Sequence, residues 1–387
     1  MKKTSVFANG VLWFGVAISI AEIEAGCSIG GNWTALIAGH ILGGLMLYAA
    51  GLLGATTGQN AMETTTATFG RFGMRMFAVL NIVQLVGWTA VMIAQGGAAV
   101  SQLTSLPYML PCLALAVLIG VWIFVAFGDR FHLATIAMGA LALMAVVLSV
   151  RLVGLAPSAT PSSLSFWSAF EISVAMPLSW LPLIADYTSK AARPRLSTAV
   201  SAGVYTIASM WMYTLGILLG RMGANTVAEG IVAAGLGSIG FVVIVFSTVT
   251  TTFLDAYSSG ESARSIVAKM NPRLIGVIVC AIGGTLAIGG VMDHYINFLY
   301  LISSVFAPMS AVLLVDRYLY KTGSTKLNLL AWLVGFVVYH FAVSSPIGPT
   351  LSAFLASVLV AILLKFKFVA YFWLLCIIRK AKNRFAA

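Results

Sequence analysis

The chain has 387 residues, of which 60% are hydrophobic and only 9% are charged. This composition excludes an ordinary soluble domain, in which about a quarter of the residues carry a charge, and is typical of a polytopic helical membrane protein. The net charge of +11 comes without a basic face interleaved with aromatic residues, so it does not indicate nucleic-acid binding.

Twelve apolar runs, each about 16 to 28 residues long, recur along the chain and predict twelve transmembrane helices. Their centres lie near residues 20, 45, 86, 117, 143, 177, 208, 243, 281, 304, 334 and 357. If both termini lie inside, 20 of the 22 Lys and Arg residues fall on one side, and only Arg151 and Arg221 fall on the other. The positive-inside rule therefore predicts cytoplasmic termini in an inner (cytoplasmic) membrane.

The cysteines suggest neither a disulfide framework nor a zinc site. Cys27, Cys112, Cys280 and Cys376 all lie in apolar segments and lack C-x-x-C spacing. The first apolar segment has no cleavage motif of a signal peptide. We expect it to be retained as the first helix.

The first span, residues 10–31, contains two carboxylates in the run GVAISIAEIEAGCSIGG. A carboxylate at bilayer depth costs roughly 2.5 to 3.5 kcal/mol, so it is tolerated mainly where it faces a cavity, a partner or a ligand. Glu22 and Glu24 therefore predict a site inside the membrane. On a regular helix they point about 200° apart, and only local unwinding would aim both inward. We favour Glu22 on the cavity face, with Glu24 close behind.

The third span places Gln84, Trp88 and Gln95 on one helix face. Trp88 follows Gly87, which would let a flat ligand or another backbone come close. An indole can stack on a heteroaromatic ring while a nearby amide donates and accepts hydrogen bonds. The alternative is a packing tryptophan with glutamines that bond across helices.

Interruptions are predicted in the spans that open the two halves of the chain. One lies at residues 19–26, and the other lies at 175–180, where Pro177 removes a backbone donor. A Pro- and Ser-rich stretch at 154–165 separates the halves. Broken helices at matching positions point to the site of a transporter built from inverted repeats. We predict one transporter domain with repeats at about 9–155 and 166–316, extra helices at about 327–364 and a cytoplasmic tail at 365–387.

The sixth span offers further polar side chains around its break. Trp180, beside the break and next to Ser179, is a second candidate for stacking on a ligand, whereas Glu171 and Asp186 lie near the span ends and receive structural or gating roles. His40 and His340 also fall within spans. Each is either part of a proton relay or a satisfied interhelical donor.

The eighth span carries Thr248, Thr251, Thr252 and Asp255 at i, i+3, i+4 and i+7, which form one polar stripe. Hydroxyl oxygens are hard ligands that suit a small cation such as sodium. The alternative is that the threonines bond to carbonyls four residues earlier. Asp255 favours a functional role, because carboxylates at this depth are usually functional.

Four stretches resemble helices of the nucleobase:cation symporter-1 family, in particular its hydroxymethylpyrimidine branch. They are LWFGVAISIAEIEAG in the first helix, QLVGWTAVMIAQ in the third, SWLPLIADYTSKAARPR in the sixth and STVTTTFLDAYSSG in the eighth. The resemblance implies an all-α, LeuT-like fold with a 5+5 inverted repeat and two additional helices. The first and sixth helices would unwind beside a midplane site that the third and eighth frame.

The resemblance also implies site residues by position. Sodium would meet backbone oxygens near Ser19 and Glu22 together with the hydroxyls of Thr248, Thr251 and Thr252. Trp88 would stack on the substrate ring. The polar edge of the ring would meet residues near Ile23 and Glu24, with Ser179 and the turn from Phe253 to Asp255.

The chain departs from cytosine-carrying members of that family. Glu22 and Glu24 stand where those members have apolar or hydroxyl residues, and Phe253 and Asp255 stand near their asparagine. Pro177 falls where an aromatic residue is expected, three positions before Trp180. A carboxylate can accept from an exocyclic amine and from a protonated ring nitrogen, which favours an aminopyrimidine.

The expected function is therefore import of a pyrimidine, specifically hydroxymethylpyrimidine, by alternating access with sodium as the coupling ion and no other cofactor. The alternative is a proton-coupled cytosine or purine permease that uses Glu22 or Asp255. No DDxxD-like cluster of an intramembrane prenyltransferase is present, so we do not expect an enzyme. The candidate substrate contacts are Glu22, Ile23, Glu24, Gln84, Trp88, Gln95, Ser179, Trp180, Phe253 and Asp255.

Overall fold

The computed structural model describes residues 3–126, 131–153, 164–222, 227–233, 235, 237–321 and 324–365. In these ranges the regular structure is helical, and one isolated bridge joins Thr4 to Ala191. The α-helices are α1 (Val6–Ala17), α2 (Ile20–Ser28), α3 (Trp33–Thr57), α4 (Ala61–Thr64), α5 (Thr66–Thr104), α6 (Met109–Ala126), α7 (Phe131–Val153), α8 (Phe166–Ser179), α9 (Ile184–Thr188), α10 (Pro194–Arg221), α11 (Val227–Ala233), α12 (Gly237–Ile266), α13 (Pro272–Ile288), α14 (Tyr295–Leu314), α15 (Thr325–Phe341) and α16 (Pro349–Lys365). A 3-10 turn (Val291–His294) precedes α14, and a π-helix (Val315–Tyr320) follows it.

Several of these helices can cross a membrane. Six described segments are long and apolar enough to do so, and a seventh is added if the bent pair α1 and α2 counts as one span. Four further apolar helices are shorter. A helix covers each of the twelve predicted centres. The chain is thus a multi-pass helical membrane protein, while the number of twelve crossings stays a prediction.

The contacts divide the chain into two units. The first unit comprises Met1–Thr64 and Met74–Ile302, and the second comprises Thr65–Gly73 and Ser303–Ala387. The second unit contains α15 and α16, which correspond to the two predicted extra helices. The inverted repeats stay a prediction, and the predicted tail lies outside the described residues except for Lys365.

The first predicted break lies earlier than expected. α1 ends at Ala17, α2 begins at Ile20, and the two axes differ by 52°. Ser19 is extended, and its Oγ accepts the backbone N–H of Glu22 at 3.3 Å, which is the geometry of a helix N-cap. The interruption predicted at 19–26 is therefore wrong in position. The break occupies residues 18 and 19, and both Glu22 and Glu24 lie on a regular helix.

The second break lies later than expected. α8 continues through Pro177 to Ser179, and the chain turns at residues 180–183 before α9 begins. The Pro177 ring lies against Gly43 of α3, at a position where a β-carbon on Gly43 would collide with it. The prediction of 175–180 is thus wrong in its boundaries, because the proline sits inside the helix and the chain leaves it only after the following turn.

Small residues let the helices around the first break approach closely. Gly26 of α2 lies against the backbone of Tyr213, and Gly216 of α10 lies against the backbone of Ile23 and Cys27. A side chain at either glycine would overlap backbone atoms, so both positions need glycine for this crossing. The contact fixes α2 against α10.

An apolar cluster in the first unit packs α5, α6, α12 and α13 together. Its buried members are Ile93, Ala94, Cys112, Leu115, Ile119, Ile123, Val249, Ala256, Cys280 and Ala287. The three described cysteines, Cys27, Cys112 and Cys280, are unpaired. The cluster holds α5 beside α12, the two helices that carry the tryptophan face and the threonine stripe predicted above.

Candidate functional site

A cavity of the first unit lies where α2, α5, the end of α8 and α12 meet. Its lining residues are Ser19, Ala21, Glu22, Gln84, Leu85, Trp88, Met92, Met176, Ser179, Trp180, Leu183, Thr251 and Asp255. The predicted site residues that the structure brings together here are Ser19, Glu22, Gln84, Trp88, Ser179, Trp180, Thr251 and Asp255. They come from four separate spans, and two carboxylates are among them.

Glu22 lies in the first turn of α2 and is only 2% exposed. The Tyr205 hydroxyl donates to its Oε1 at 2.7 Å, and the Ser209 hydroxyl lies 2.7 Å from its Oε2. Trp13 packs edge-on against the Tyr205 ring, with 5.8 Å between the ring centroids. Each carboxylate oxygen thus has one fixed partner and can still accept a hydrogen bond from the cavity.

Glu24 has a different environment from Glu22. Gln95 Nε2 donates to Glu24 Oε2 at 2.5 Å, and neither residue is among those that line the cavity. Because α2 is a regular helix here, Glu24 points away from the face that carries Glu22. Gln95 therefore forms a hydrogen bond between α5 and α2, which is the alternative to a ligand contact that the sequence analysis left open. Ile23 is buried, and its carbonyl faces Gly216 of α10.

Gln84 and Trp88 form the α5 wall of the cavity. The Trp88 ring meets Phe298 edge-on, with 5.7 Å between centroids, and Phe298 also fills the space next to Gly87. Gly87 thus admits a neighbouring side chain rather than a ligand. The Gln84 Nε2 is buried and has no hydrogen-bond partner among the described residues. A buried amide without a partner is costly, which fits a group that pairs with a ligand.

The α8 end of the cavity is aromatic. Trp180 is 8% exposed and packs edge-on against Trp13, with 5.9 Å between centroids. The Ser179 hydroxyl donates to the Met176 carbonyl at 2.7 Å. Both side chains line the cavity, but each also has a structural partner.

The threonine stripe of α12 divides into hydroxyls with and without partners. Thr250 donates to the Phe246 carbonyl at 2.8 Å, as a back-bonded membrane threonine does. Thr251 lines the cavity, and its hydroxyl lies 3.5 Å from the Gly15 carbonyl oxygen. The buried hydroxyls of Thr248 and Thr252 have no partner in the described part of the chain. The predicted cation ligands are thus the hydroxyls that do not back-bond.

Asp255 completes the α12 wall. It is 4% exposed and lines the cavity, and no described residue donates a hydrogen bond to it. Phe253 lies on another side of α12, where it stacks on Tyr257 at 6.2 Å between centroids and packs against the apolar cluster. It is not a lining residue.

The last turn of α1 presents backbone oxygens beside Thr251. Helix C-termini leave carbonyls without intrahelical donors, and the Ser19 N–H binds the Ala17 carbonyl rather than that of Gly15. The Ser19 carbonyl accepts the N–H of Ile23 at 3.3 Å. The backbone oxygen next to Thr251 is therefore that of Gly15, about one turn before Ser19, the first of the two residues whose backbone oxygens the resemblance implied. In the described ranges no three His, Cys, Asp or Glu residues cluster as metal ligands.

Two residues of α10 next to the cavity were missed by the sequence analysis. Tyr205 and Ser209 both contact Glu22, and Ser209 in turn contacts His40 Nε2 at 2.7 Å. Their i, i+4 spacing on one face of an apolar helix was an available signal. Both ring nitrogens of His40 have partners, whereas His340 is exposed and packs edge-on against Phe336.

A second polar cluster joins the end of α9 to α12. Lys190 Nζ lies 2.8 Å from the Tyr257 hydroxyl and 3.5 Å from Glu261. Asp186 accepts the N–H of Ala61, at the start of α4, at 2.8 Å. The gating role of Asp186 stays a prediction.

No protein-family model matches the chain. It is 24% identical to the cytosine permease of Escherichia coli strain K12 over 318 residues, which cover 80% of this chain and 74% of the permease.

Solved structures of transporters share the fold, and two of them illustrate the likeness. One is Mhp1, a nucleobase-cation-symport-1 family transporter, in a closed conformation with bromovinylhydantoin bound: the TM-score is 0.67 and the identity 18%, over 96% of this chain and 94% of Mhp1. The other is a substrate-bound, outward-open Na+-coupled sialic acid symporter, with a TM-score of 0.73 and 11% identity over 92% of this chain and 88% of that chain. These likenesses confirm the predicted all-α, LeuT-like fold. The cytosine permease, Mhp1 and the sialic acid symporter are all transporters rather than enzymes.

Proposed function

We propose that this chain is a sodium-coupled symporter of the nucleobase:cation symporter-1 type, which imports an aminopyrimidine by alternating access. The observation that carries the proposal is the pairing of two buried carboxylates, Glu22 and Asp255, with the Trp88 ring on the wall of one cavity. The likeness to a cytosine permease and to Mhp1 supports the transporter class.

The chemistry of the cavity favours a substrate with N–H groups. Glu22 and Asp255 both offer acceptor oxygens, and a carboxylate pairs strongly with an exocyclic amine and a ring N–H. Trp88 offers an indole face for stacking, and the unpaired Gln84 Nε2 offers a donor to a ring nitrogen or carbonyl. Hydroxymethylpyrimidine is the first candidate. Cytosine is the second, which the likeness to the E. coli permease favours.

The proposed sodium site lies at the end of α1. The Gly15 carbonyl and the hydroxyls of Thr251 and Thr252 supply neutral, hard oxygens. The C-terminus of a broken helix also carries partial negative charge, which favours a cation. A proton carried by Glu22 or Asp255 would be the alternative coupling ion.

The size of the cavity supports a cycle of opening and closing. The cavity has a volume of about 30 Å³, which is enough for roughly two water molecules. A pyrimidine ring therefore needs the walls to separate before it binds. In the proposed topology both termini are cytoplasmic and the substrate moves inward.

Uptake by proteoliposomes tests this function. Labelled hydroxymethylpyrimidine and cytosine should accumulate with an inward sodium gradient and not with a pH gradient of equal driving force. Asp255→Asn should abolish uptake, whereas Asp293→Asn, at an exposed position in the 3-10 turn, should not. Accumulation that follows pH and ignores sodium would remove the sodium assignment. If no pyrimidine or purine accumulates, the transporter function itself is wrong.

A further inference from the structure

A continuous row of hydrogen bonds starts at the cavity carboxylate and ends inside the protein. Glu22 Oε2 lies 2.7 Å from Ser209 Oγ, and Ser209 Oγ lies 2.7 Å from His40 Nε2. His40 Nδ1 lies 2.8 Å from Ser173 Oγ. His40, Ser173 and Ser209 are fully buried. The row thus has one end on the cavity wall and no end at the surface.

The partners of His40 determine which ring nitrogen carries a proton. The Ser173 hydroxyl lies 2.8 Å from the Leu36 carbonyl oxygen, which can only accept, and Nδ1 lies 3.2 Å from the same oxygen. All of these contacts are used only if Ser173 donates to the carbonyl and Nδ1 donates to Ser173. Nδ1 is therefore protonated, and Nε2 is left to interact with Ser209.

Two arrangements of hydrogens satisfy the rest of the row. In the first, a protonated Glu22 donates to Ser209, and Ser209 donates to a neutral Nε2. In the second, a protonated Nε2 donates to Ser209, and Ser209 donates to the Glu22 carboxylate. Tyr205 donates to Oε1 in both. If the row loses this proton, Ser209 can donate to only one neighbour, and its oxygen and the other neighbour are then two acceptors 2.7 Å apart with no hydrogen between them. If the row gains a second proton, both neighbours donate to Ser209, and the buried serine hydrogen has no acceptor.

We propose that Glu22, Ser209 and His40 hold one shared proton, which moves between the cavity carboxyl and the imidazole through the serine hydroxyl. In the move, the Glu22 O–H bond breaks as a new Ser209 O–H bond forms, and the original serine proton forms the Nε2–H bond. The net change is carboxyl plus imidazole to carboxylate plus imidazolium. His40 is thus a positioning residue that acts on the substrate through Ser209 and Glu22.

The shared proton would give the site a specific property, which rests on the proposed function. In both arrangements the hydrogen points toward Ser209, so the cavity side of Glu22 offers only acceptors. The charge of Glu22 can change while the acceptors that it presents to the cavity stay the same. The same site then binds a neutral ring or a protonated one, and it does so without taking a proton from bulk water.

The other ionisable groups around the row are accounted for by separate contacts. The Tyr213 ring meets His40 edge-on at 4.7 Å between centroids, but its hydroxyl donates to the Ile172 carbonyl. Glu24 binds Gln95. Asp255 lines the α12 wall of the same cavity. In the described ranges no lysine or arginine forms an ion pair with Glu22, so His40 is the group that can balance its charge.

The first test needs no ligand. Infrared difference spectra of the wild type against Glu22→Gln give the protonated fraction of the Glu22 carboxyl, and 15N NMR of histidine-labelled protein gives the protonation of each His40 nitrogen. The protonated fractions of the Glu22 carboxyl and of His40 Nε2 should sum to one from about pH 5 to about pH 8. His40 Nδ1 should be protonated throughout this range. A sum that changes with pH, or a ring protonated only at Nε2, overturns the proposal.

The second test uses the binding of hydroxymethylpyrimidine or cytosine. Ser209→Ala interrupts the row, and Ser201→Ala is the matched control, because its hydroxyl bonds to Ser197 within α10. The ratio of the variant Kd to the wild-type Kd removes the pH effects that the two proteins share. For Ser209→Ala this Kd ratio should rise by about tenfold from pH 5 to pH 8. The reason is that Glu22, separated from His40, loses its proton alone as the pH rises and leaves an unbalanced charge at the cavity. For Ser201→Ala the Kd ratio should stay within about twofold of its starting value.

The two tests separate the proposals. If the ratio for Ser209→Ala is constant with pH, the shared proton is overturned even though transport is intact. If the wild type binds no pyrimidine, the proposed function fails, and the spectroscopic proton count still decides whether the row holds one proton.

Discussion

Replacing Thr251 by valine removes a hydroxyl from the proposed sodium site at nearly constant side-chain volume. The hydroxyl lies 3.5 Å from the Gly15 carbonyl, which is beyond the usual range of a strong hydrogen bond. Its loss should therefore change the stability of the folded protein little. The effect should fall on the ion, because the hydroxyl and the carbonyl face each other across the place that the cation would occupy.

The expected magnitude follows from the loss of one oxygen ligand. An interaction of a hydroxyl with a charged group contributes about 1.5 to 3 kcal/mol, and each 1.36 kcal/mol is a tenfold change in an equilibrium constant. The sodium concentration for half-maximal uptake should rise by roughly 10- to 150-fold. The maximal rate at saturating sodium should be largely retained.

Thr250→Val is the matched control, because it makes the same change one residue earlier on the same helix. The Thr250 hydroxyl is back-bonded to Phe246 and Ser247, so we expect an almost unchanged sodium dependence. Both variants are compared by sodium titration of uptake in proteoliposomes at fixed membrane potential. Equal sodium curves for Thr251→Val, Thr250→Val and the wild type would refute the assignment of Thr251 as an ion ligand.

Three further predictions concern the ring site and the packing. Trp88→Ala should raise the substrate Kd by roughly 5- to 150-fold, because aromatic stacking on a base contributes about 1 to 3 kcal/mol. Trp88→Phe should retain most of the affinity. Equal binding by the wild type and both variants would refute the proposal that the substrate ring stacks on Trp88. Gly216→Ala should destabilise the fold by about 1 to 3 kcal/mol through overlap with the α2 backbone, whereas Gly220→Ala, with its nearest neighbour at 3.5 Å, should melt near the wild-type temperature. Lys365→Met should cost about 3 to 5 kcal/mol in the second unit, because the buried Asp316 loses its cationic partner and keeps the hydrogen bond from Thr68. Adding Asp316→Leu should recover most of the loss in thermal unfolding, and no recovery would refute the ion-pair argument.

The sequence was enough to predict the helical class and the helices that meet at the site, because apolar runs and isolated carboxylates are strong local signals. The positions of the breaks were less accurate. Ser19-x-x-Glu22 is a capping pattern that indicates a new helix from residue 20, and it was outweighed by the small residues and charges that follow. Pro177 correctly predicted that the sixth span is interrupted, but a proline alone does not predict the residue at which the helix ends.

The side-chain partners could not be predicted in the same way. Tyr205 and Ser209 are 183 and 187 residues away from Glu22 along the chain, and only the crossing of α2 and α10 brings them together. The roles of Glu24 and Phe253 depended on the rotation of a helix about its axis, which a one-residue shift of a helix start changes by about 100°. Such contacts become visible only when the packing of several helices is known.

The 52° bend between α1 and α2 places opposite poles of two helices within two residues of each other. The end of α1 is the negative pole, and the start of α2, which carries Glu22, is the positive pole. In the proposed symporter the ion and the substrate would thus be held by the two halves of one broken span. Thermodynamic reciprocity then requires that substrate raise the affinity for sodium by the same factor by which sodium raises the affinity for substrate. A substitution that straightens the bend should weaken both affinities and also the factor that links them.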